Sequence, residues 1–346
     1  MRTLVCDMQF GSTGKGLLAG YLARILRPEL VISAWGPNAG HTYIDPEGRK
    51  MVTTMVPIGS VSPDCEVVAI GPGAAINVTN LLNEWRTYKK LGMIGENAHL
   101  MVHPSAAVID ELNDAQSEQA NGLVSIGSTM KGTAMAQVRK MMRYSTPDVI
   151  NIAKEDERLA DFLVTKEVWK QVMMDYIGHT QIEGAQGYSL SMHHGFYPYV
   201  TSRDTSTYQI LADCGIPASF ERPVVWGTMR TFPIRVANRF NAEGQMIGTS
   251  GPCYDDQKEL DWKKDLGMEP ELTTVTKLPR RIFSFSMQQV LEAKDMMGCD
   301  HYFLNFCNYL KNEEVRELVD DLDFVGIRPT LFGYGPADGD VWNNVK

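Results

Sequence analysis

Cysteine is sparse and scattered. There are six in 346 residues, Cys6, Cys65, Cys214, Cys253, Cys299 and Cys307, and no two form a C-x-x-C pair. That spacing excludes a zinc ribbon or a disulfide framework and leaves small core residues in a reducing compartment. No run of about 18 apolar residues exists, so no segment has the length of a membrane-spanning helix. Long basic runs are missing too. Lys and Arg number 33 against 42 Asp and Glu, a net charge of −9. This disfavours DNA or RNA as a partner but leaves room for a local pocket that takes one nucleotide. The opening stretch MRTLVCDMQFG lacks the design of a signal peptide, so a cytoplasmic protein is expected. Repeats and low-complexity tracts are absent as well. Hydrophobic residues at 44% and charged residues at 22% are ordinary for a globular chain. The length allows one large α/β domain or two smaller ones. Residues 1–346 read as a single domain with long functional loops.

The first forty residues read as strand, turn, helix, strand. Thr3–Met8 is short and β-leaning, Leu17–Leu30 carries apolar residues at helical spacing, and Val31–Trp35 is a buried strand. Val67–Ile70 is a third strand, followed by a helix over Val78–Leu91. Such alternation predicts a mostly parallel central sheet flanked by helices, an α/β fold of P-loop-like character. Further helices are expected over Val108–Gln119, Met135–Arg143, Glu155–Tyr176 and Met287–Met297. Strands are expected at Thr180–Glu183, Val224–Trp226, Arg230–Val236 and Tyr302–Asn308.

Three segments carry chemistry. Gln9-Phe10-Gly11-Ser12-Thr13-Gly14-Lys15-Gly16 sits between a strand and a helix. Glycines there let main-chain N–H groups approach an anion, and Lys15 can reach a phosphate oxygen. The Walker pattern is incomplete, because Gln9 replaces its first glycine and Gly16 its Ser/Thr. The plain alternative is a glycine turn with a solvated lysine. Gly36-Pro37-Asn38-Ala39-Gly40-His41-Thr42 follows the second strand and presents an amide, an imidazole and a hydroxyl where open α/β sheets place ligands. Alone it reads as a surface loop. Ile182-Glu183-Gly184-Ala185-Gln186-Gly187, followed by His194–Ser202, offers a carboxylate and an amide on a glycine turn, suited to the edge of a base. His193 and His194 lack a third ligand nearby and read as loop residues.

Together these segments resemble the adenylosuccinate synthetase family in order and spacing. The matching stretches are Gly11–Gly16, Asn38–Thr42, Ile126-Gly127-Ser128-Thr129, Glu183–Gly187 with His194–Ser202, and Thr274-Val275-Thr276 with Arg280-Arg281. The resemblance runs from Leu4 to about Pro336 and implies that family's fold. It implies a two-step reaction in which a nucleoside triphosphate phosphorylates O6 of a 6-oxopurine nucleotide and L-aspartate displaces the phosphate. By resemblance, Ser12, Thr13, Gly14, Lys15, Gly16, Gly40, His41, Thr42, Gln289 and Gly335 bind the triphosphate. Ser12, Asn38, Ser128, Thr129, Arg139, Gln186 and Thr201 bind the purine nucleotide, with Arg139 reaching across from a partner subunit of a homodimer. Ser12, Lys15, His41 and Gln186 are the catalytic set, with His41 as acid. Mg²⁺ is expected on Ser12 and the carbonyl of Gly40. Thr274, Val275, Thr276 and Arg280 are expected to hold aspartate, since a guanidinium fork suits a carboxylate.

Three departures narrow the reading. The family's loop carries an Asp that acts as base and metal ligand, and here that position is Ser12, a poor base near neutral pH. The family reads guanine of GTP with a K-L-D tripeptide, and the corresponding stretch is taken as Met287-Gln288-Gln289, which has no carboxylate. An adenine donor, ATP or dATP, is therefore expected. Lys277-Leu278 stand where the family has Gly-Arg near the ribose, which suits a 2′-deoxynucleotide. These features resemble the bacteriophage branch of the family. It makes 2-amino-2′-deoxy-N6-succinyladenylate from dGMP, in the host cytoplasm, for diaminopurine DNA. An ordinary IMP-using synthetase and a non-catalytic nucleotide-binding homologue are the rival readings.

Overall fold

The structure is a computed structural model and describes all residues except 144–148, 177, 220, 274–276 and 346. Among the described residues, nine strands form the central sheet. They are β1 (Arg2–Asp7), β2 (Leu30–Ser33), β3 (Val67–Ile70), β4 (His99–Val102), β5 (Thr180–Glu183), β6 (Val224–Arg230), β7 (His301–Asn305), β8 (Pro329–Gly333) and β9 (Val341–Trp342). Their order is β9-β8-β7-β6-β1-β5-β2-β3-β4. Every neighbouring pair is parallel except β8 with β9. β1 lies near the centre, and Val5 sits opposite both Glu183 and Trp226. Strands covered on both faces carry apolar residues toward both layers, which is how Leu4, Val5, Ile32, Ile182 and Val225 are placed. One core layer holds Leu18, Leu22, Val31, Tyr43 and Val68, and the other holds Leu4, Ile32, Ile182 and Leu304.

Eight α-helices are described: α1 (Lys15–Leu26), α2 (Val78–Lys90), α3 (Asp114–Ala120), α4 (Thr133–Met142), α5 (Lys166–Asp175), α6 (Thr207–Asp213), α7 (Met287–Met297) and α8 (Asn312–Phe324). Asn77, Thr165, Ser206 and Ser286 cap α2, α5, α6 and α7 with their side chains. α1 has no such cap; Gly14 precedes it, and its first turn keeps main-chain donors for something else. None of the described helices is long and apolar enough to cross a membrane.

The predicted helix over Glu155–Tyr176 is broken. Short 3₁₀ turns occupy Ala153–Glu155 and Glu157–Phe162, Leu163 bridges to Val102, and α5 starts after Thr165, whose hydroxyl accepts the Val168 N–H at 3.2 Å. The helix expected from Val108 also starts late. Val108 pairs with Ile76 as a strand, and the Asp110 carboxylate takes the N–H groups of Leu112 and Asn113 before α3 begins. The two strand pieces expected around residue 230 are one continuous strand, β6, and a separate short strand at Ile234–Arg235. Because the central strands run parallel, the chain after β1, β2, β5, β6 and β7 emerges at one sheet edge, where the sequence motifs lie.

Candidate active site

The phosphate loop is organised from below. Asp7, the last residue of β1, accepts the N–H groups of Gln9 at 2.9 Å and Gly11 at 3.2 Å on one carboxylate oxygen. Its other oxygen accepts the Thr13 hydroxyl at 2.5 Å and Lys15 Nζ at 2.8 Å. Lys15 also donates to the main-chain oxygen of Gln186 at 2.8 Å. Ser12, at the tip, has φ +58° and is exposed. Gly16 lets the next motif close in, because a Cβ there would stand 2.6 Å from the main-chain oxygen of Thr42.

His41 opens the hairpin His41–Ile44/Lys50–Thr53 and is buried against the Trp35 ring, 4.6 Å between centroids. Neither ring nitrogen has a hydrogen-bond partner, and Nδ1 stands 3.8 Å from Glu183 Oε2. Burial holds the imidazole below its usual pKa despite the nearby Glu183, and the Lys15 charge adds to the lowering. His41 is therefore the neutral imidazole in the free site. Glu183 is occupied elsewhere, accepting the N–H groups of Ile58 and Gly59.

These pieces border a cavity of about 480 Å³. Its other walls come from Ser128 and Thr129, the Tyr199–Ser202 segment, Ile234–Ala237, and Thr273, Leu278 and Arg280. The charged side chains on it are Lys15, Lys131, Arg235, Arg239 and Arg280 against Glu118 and Glu271, a cationic pocket in an acidic chain. Gln186, held at φ +58°, lines this space, and neither of its amide atoms has a hydrogen-bond partner although both are buried. A buried amide left without partners is matched to a ligand that has both a donor and an acceptor. On the far side, Arg230 is fully buried and pairs with Glu271, donates to the Ser12 carbonyl at 3.2 Å, and lies 3.7 Å over the Phe306 ring. Burial alone would raise the Glu271 pKa, but the guanidinium of Arg230 wins and holds it low.

Most of the expected residues meet here. Ser12, Gly14, Lys15, Gly16, Asn38, Gly40, His41, Thr42, Ser128, Thr129, Gln186, Thr201 and Arg280 all line the one cavity. Asn38 Nδ2 faces Thr201 Oγ1 at 3.5 Å. Thr13 does not, since its hydroxyl points under the loop to Asp7 and Thr228. Gln289 is fully buried in the first turn of α7 and donates to Ser189 Oγ at 2.8 Å, away from the cavity. The sheet-edge residue that does face the cavity in this region is Phe306, just after β7. Gly335 also lies off the cavity, packed on Asp340. Arg139 is corrected most plainly. All five of its N–H donors are taken, by Asp114 twice and by Val108, Ile150 and Asn151 once each, so it has none for a phosphate on another subunit. Thr274, Val275 and Thr276 lie outside the described residues. Sequence reasoning missed Asp7, Lys131, Arg235, Arg239 and Glu271. Lys131 carried a signal, two residues beyond Thr129.

A cationic, half-enclosed cavity over a glycine loop and an uncapped helix is the site of a nucleotide-dependent enzyme. Comparison with known proteins narrows the class. The adenylosuccinate synthetase family model matches residues 4–179 and 149–317. An N6-succino-2-amino-2′-deoxyadenylate synthase of Salmonella phage PMBT28 is 45% identical over 98% of this chain and 96% of its own length. The same enzyme of Acinetobacter phage SH-Ab 15497 is 42% identical over 97% and 91%. Among solved structures, the cyanophage S-2L succinoaminodeoxyadenylate synthetase, bound to dGMP and dATP, superposes with a TM-score of 0.87 at 39% identity, covering 99% of this chain and 95% of that one. Fully ligated adenylosuccinate synthetase of Plasmodium falciparum gives a TM-score of 0.79 at 18% identity over 99% of both chains, a likeness of fold. The chain belongs to the adenylosuccinate synthetase family, whose members are nucleoside-triphosphate-dependent carbon–nitrogen ligases.

Proposed function

We propose that this chain joins L-aspartate to C6 of dGMP, with ATP or dATP as phosphoryl donor. The product is 2-amino-2′-deoxy-N6-succinyladenylate. O6 attacks the γ-phosphorus, the bond to the β-phosphate oxygen breaks and the nucleoside diphosphate leaves, while the N1 proton passes to solvent. The aspartate amine then adds to C6 and expels the phosphate. The observation that carries the reading is the partnerless buried amide of Gln186, a residue that lines the cavity and whose main-chain oxygen Lys15 holds, as a group suited to a 6-oxopurine edge. The phage relatives add the 2-amino and 2′-deoxy parts.

The roles follow from the residues present. The first-turn N–H groups of α1 and the third N–H of Lys15 suit the transferring phosphate. His41, neutral when the site is free, can donate one N–H to a phosphoryl oxygen, and a bound polyphosphate would raise its proton affinity. Asn38, Ser128, Thr129 and Thr201 form a polar group suited to the 5′-phosphate of dGMP. Arg280, with the 274–276 segment, suits the aspartate carboxylates. Ser12 and Gly40, both exposed residues on one cavity, offer a hydroxyl and a carbonyl as hard oxygen donors, a set that would suit Mg²⁺ together with phosphate oxygens and water. No group of three or more His, Cys, Asp or Glu gathers as a metal cage among the described residues. The ion, when bound, neutralises phosphate charge. We further infer a homodimer, as the resemblance implies. Residues 1–346 work as one unit in this reading, which the pairing of β1 with strands about 180 and 220 residues downstream supports.

The test is a substrate matrix. dGMP, GMP, dIMP and IMP are each paired with ATP, dATP and GTP in the presence of aspartate and Mg²⁺, and phosphate and the succinylated product are measured. Turnover confined to dGMP with an adenine donor is expected. Turnover of IMP with GTP would overturn the reading, and binding without phosphate release would point to a non-catalytic homologue.

A further inference from the structure

We propose that Asp7 is a positioning residue which, acting through Lys15, couples the phosphate loop to the base-facing turn at Gln186, so that the two nucleotides bind cooperatively. The inference rests on the two-nucleotide reading above and deepens it. Asp7 is 1% exposed and does not reach the cavity, yet four donors converge on its carboxylate. A lysine ammonium has three N–H groups on a flexible stem. Here one is given to Asp7 and one to the Gln186 carbonyl, and the third remains for a phosphate oxygen. Lys15 is thus a strut between the two subsites, and Asp7 sets its angle.

A second contact makes loop and turn one body. A Cβ on Gly187 would stand 2.4 Å from Asp7 Oδ1, 2.3 Å from the Gln9 oxygen and 2.6 Å from the Gly11 nitrogen. Only glycine allows that approach, and the Ser189 N–H then donates to the Gln9 oxygen at 3.0 Å. Gln186 itself holds a left-handed backbone, which a non-glycine residue keeps only when its surroundings enforce it. Lys15 on its carbonyl is one such enforcement. A polyphosphate that fixes Lys15 therefore also fixes the turn that aims the Gln186 amide, and a base seated on Gln186 steadies Lys15 in return. Coupling of this kind is reciprocal by necessity.

The experiment is calorimetric titration of the full chain with dGMP and with a β,γ-imido analogue of ATP, each alone and in the presence of the other, with Mg²⁺ and no aspartate. In the wild type each nucleotide is expected to tighten the other by about tenfold. In Asp7→Asn the amide oxygen still accepts from Gln9 and Gly11, but the NH₂ cannot accept from Lys15. The coupling is expected to fall below about threefold, while each nucleotide alone loses less affinity than the coupling does. Undiminished coupling in a folded Asp7→Asn variant overturns the proposal. A wild type without coupling overturns it as well, whether or not the variant folds. Coupled binding without turnover would sink the proposed reaction and leave the coupling standing. If dGMP does not bind, that reading falls, and the same titration with IMP decides the coupling.

Discussion

Arg230 donates to the main-chain oxygen of Ser12 at 3.2 Å, so the tip of the phosphate loop is fastened by its backbone and not by its side chain. The Ser12 hydroxyl is left exposed in the cavity at a left-handed φ of +58°. Asp tolerates that region better than most residues. Ser12→Asp should therefore fold normally, with a melting temperature within about 2 °C of the wild type. The added carboxylate fills space beside the purine and changes the charge of the loop. The expected result is a loss of at least tenfold in kcat/KM for dGMP, measured against dIMP in the same assay. Unchanged dGMP turnover would remove Ser12 from the specificity argument.

Leu278 lines the cavity where the family resemblance places an arginine near the ribose. An apolar side chain gives a 2′-hydroxyl no partner, and a buried hydroxyl without one is unfavourable by about 1–3 kcal/mol. Leu278→Arg restores a donor. The ratio of kcat/KM for GMP over dGMP should rise about tenfold, which is about 1.4 kcal/mol and lies in the lower part of that energy range. A ratio that stays flat would mean that discrimination against the 2′-hydroxyl lies elsewhere.

The motifs were legible because each is a short turn with its own chemistry. Gly11–Gly16, Asn38–Thr42 and Glu183–Gln186 each sit at a strand end, and a parallel sheet gathers such ends by construction. The strands Val67–Ile70 and Thr180–Glu183 and the helix Met287–Met297 were read with correct bounds, the first from its apolar run, the second from the glycine turn that follows it and the third from its helical spacing. What failed is what depends on distant partners. Nothing in the sequence near Arg139 shows that Asp114 lies against it. Nothing near Asp7 shows that it will face Lys15, because the loop between them must first turn back on itself. The K-L-D correspondence at Met287–Gln289 failed for a related reason. That Gln289 turns inward to Ser189 while Phe306, just after β7, lines the cavity depends on how α7 packs, which the local sequence does not show.

Arg139 should behave as a structural residue. Its bidentate pair with the buried Asp114, at 2.9 and 2.7 Å, ties α4 to α3, and its remaining donors close on main-chain and amide oxygens. Arg139→Lys keeps the charge but loses the fork. Urea unfolding should show a loss of roughly 2–4 kcal/mol, somewhat below the cost of breaking a buried pair outright. KM for dGMP, taken where the variant is fully folded, should stay within about twofold. The opposite pattern, full stability with KM raised tenfold, would restore a role at the phosphate of a partner subunit.

His103 gives a pH dependence whose sign can be worked out. Its ring packs edge-on to Trp169 at 5.1 Å, and its Nδ1 accepts the Ser105 N–H at 3.1 Å, which requires that nitrogen unprotonated. Burial first, and then the charges of Lys140 and Lys166, lower its pKa from 6.5 to about 4. Above pH 6.5 neither the folded nor the unfolded chain carries this proton, and the group is neutral to stability. Between 6.5 and 4 the unfolded chain takes up a proton that the folded chain refuses, so stability falls as the pH falls. Below about 4 both forms are protonated and the loss is complete, at about 3 kcal/mol. His103→Asn keeps an acceptor for Ser105 and does not titrate. Urea unfolding of both proteins at about pH 7 and pH 4.5 cancels the other histidines in the difference. The variant should lose about 2–3 kcal/mol less than the wild type over that interval. Equal losses in the two would show that His103 does not titrate as its surroundings dictate.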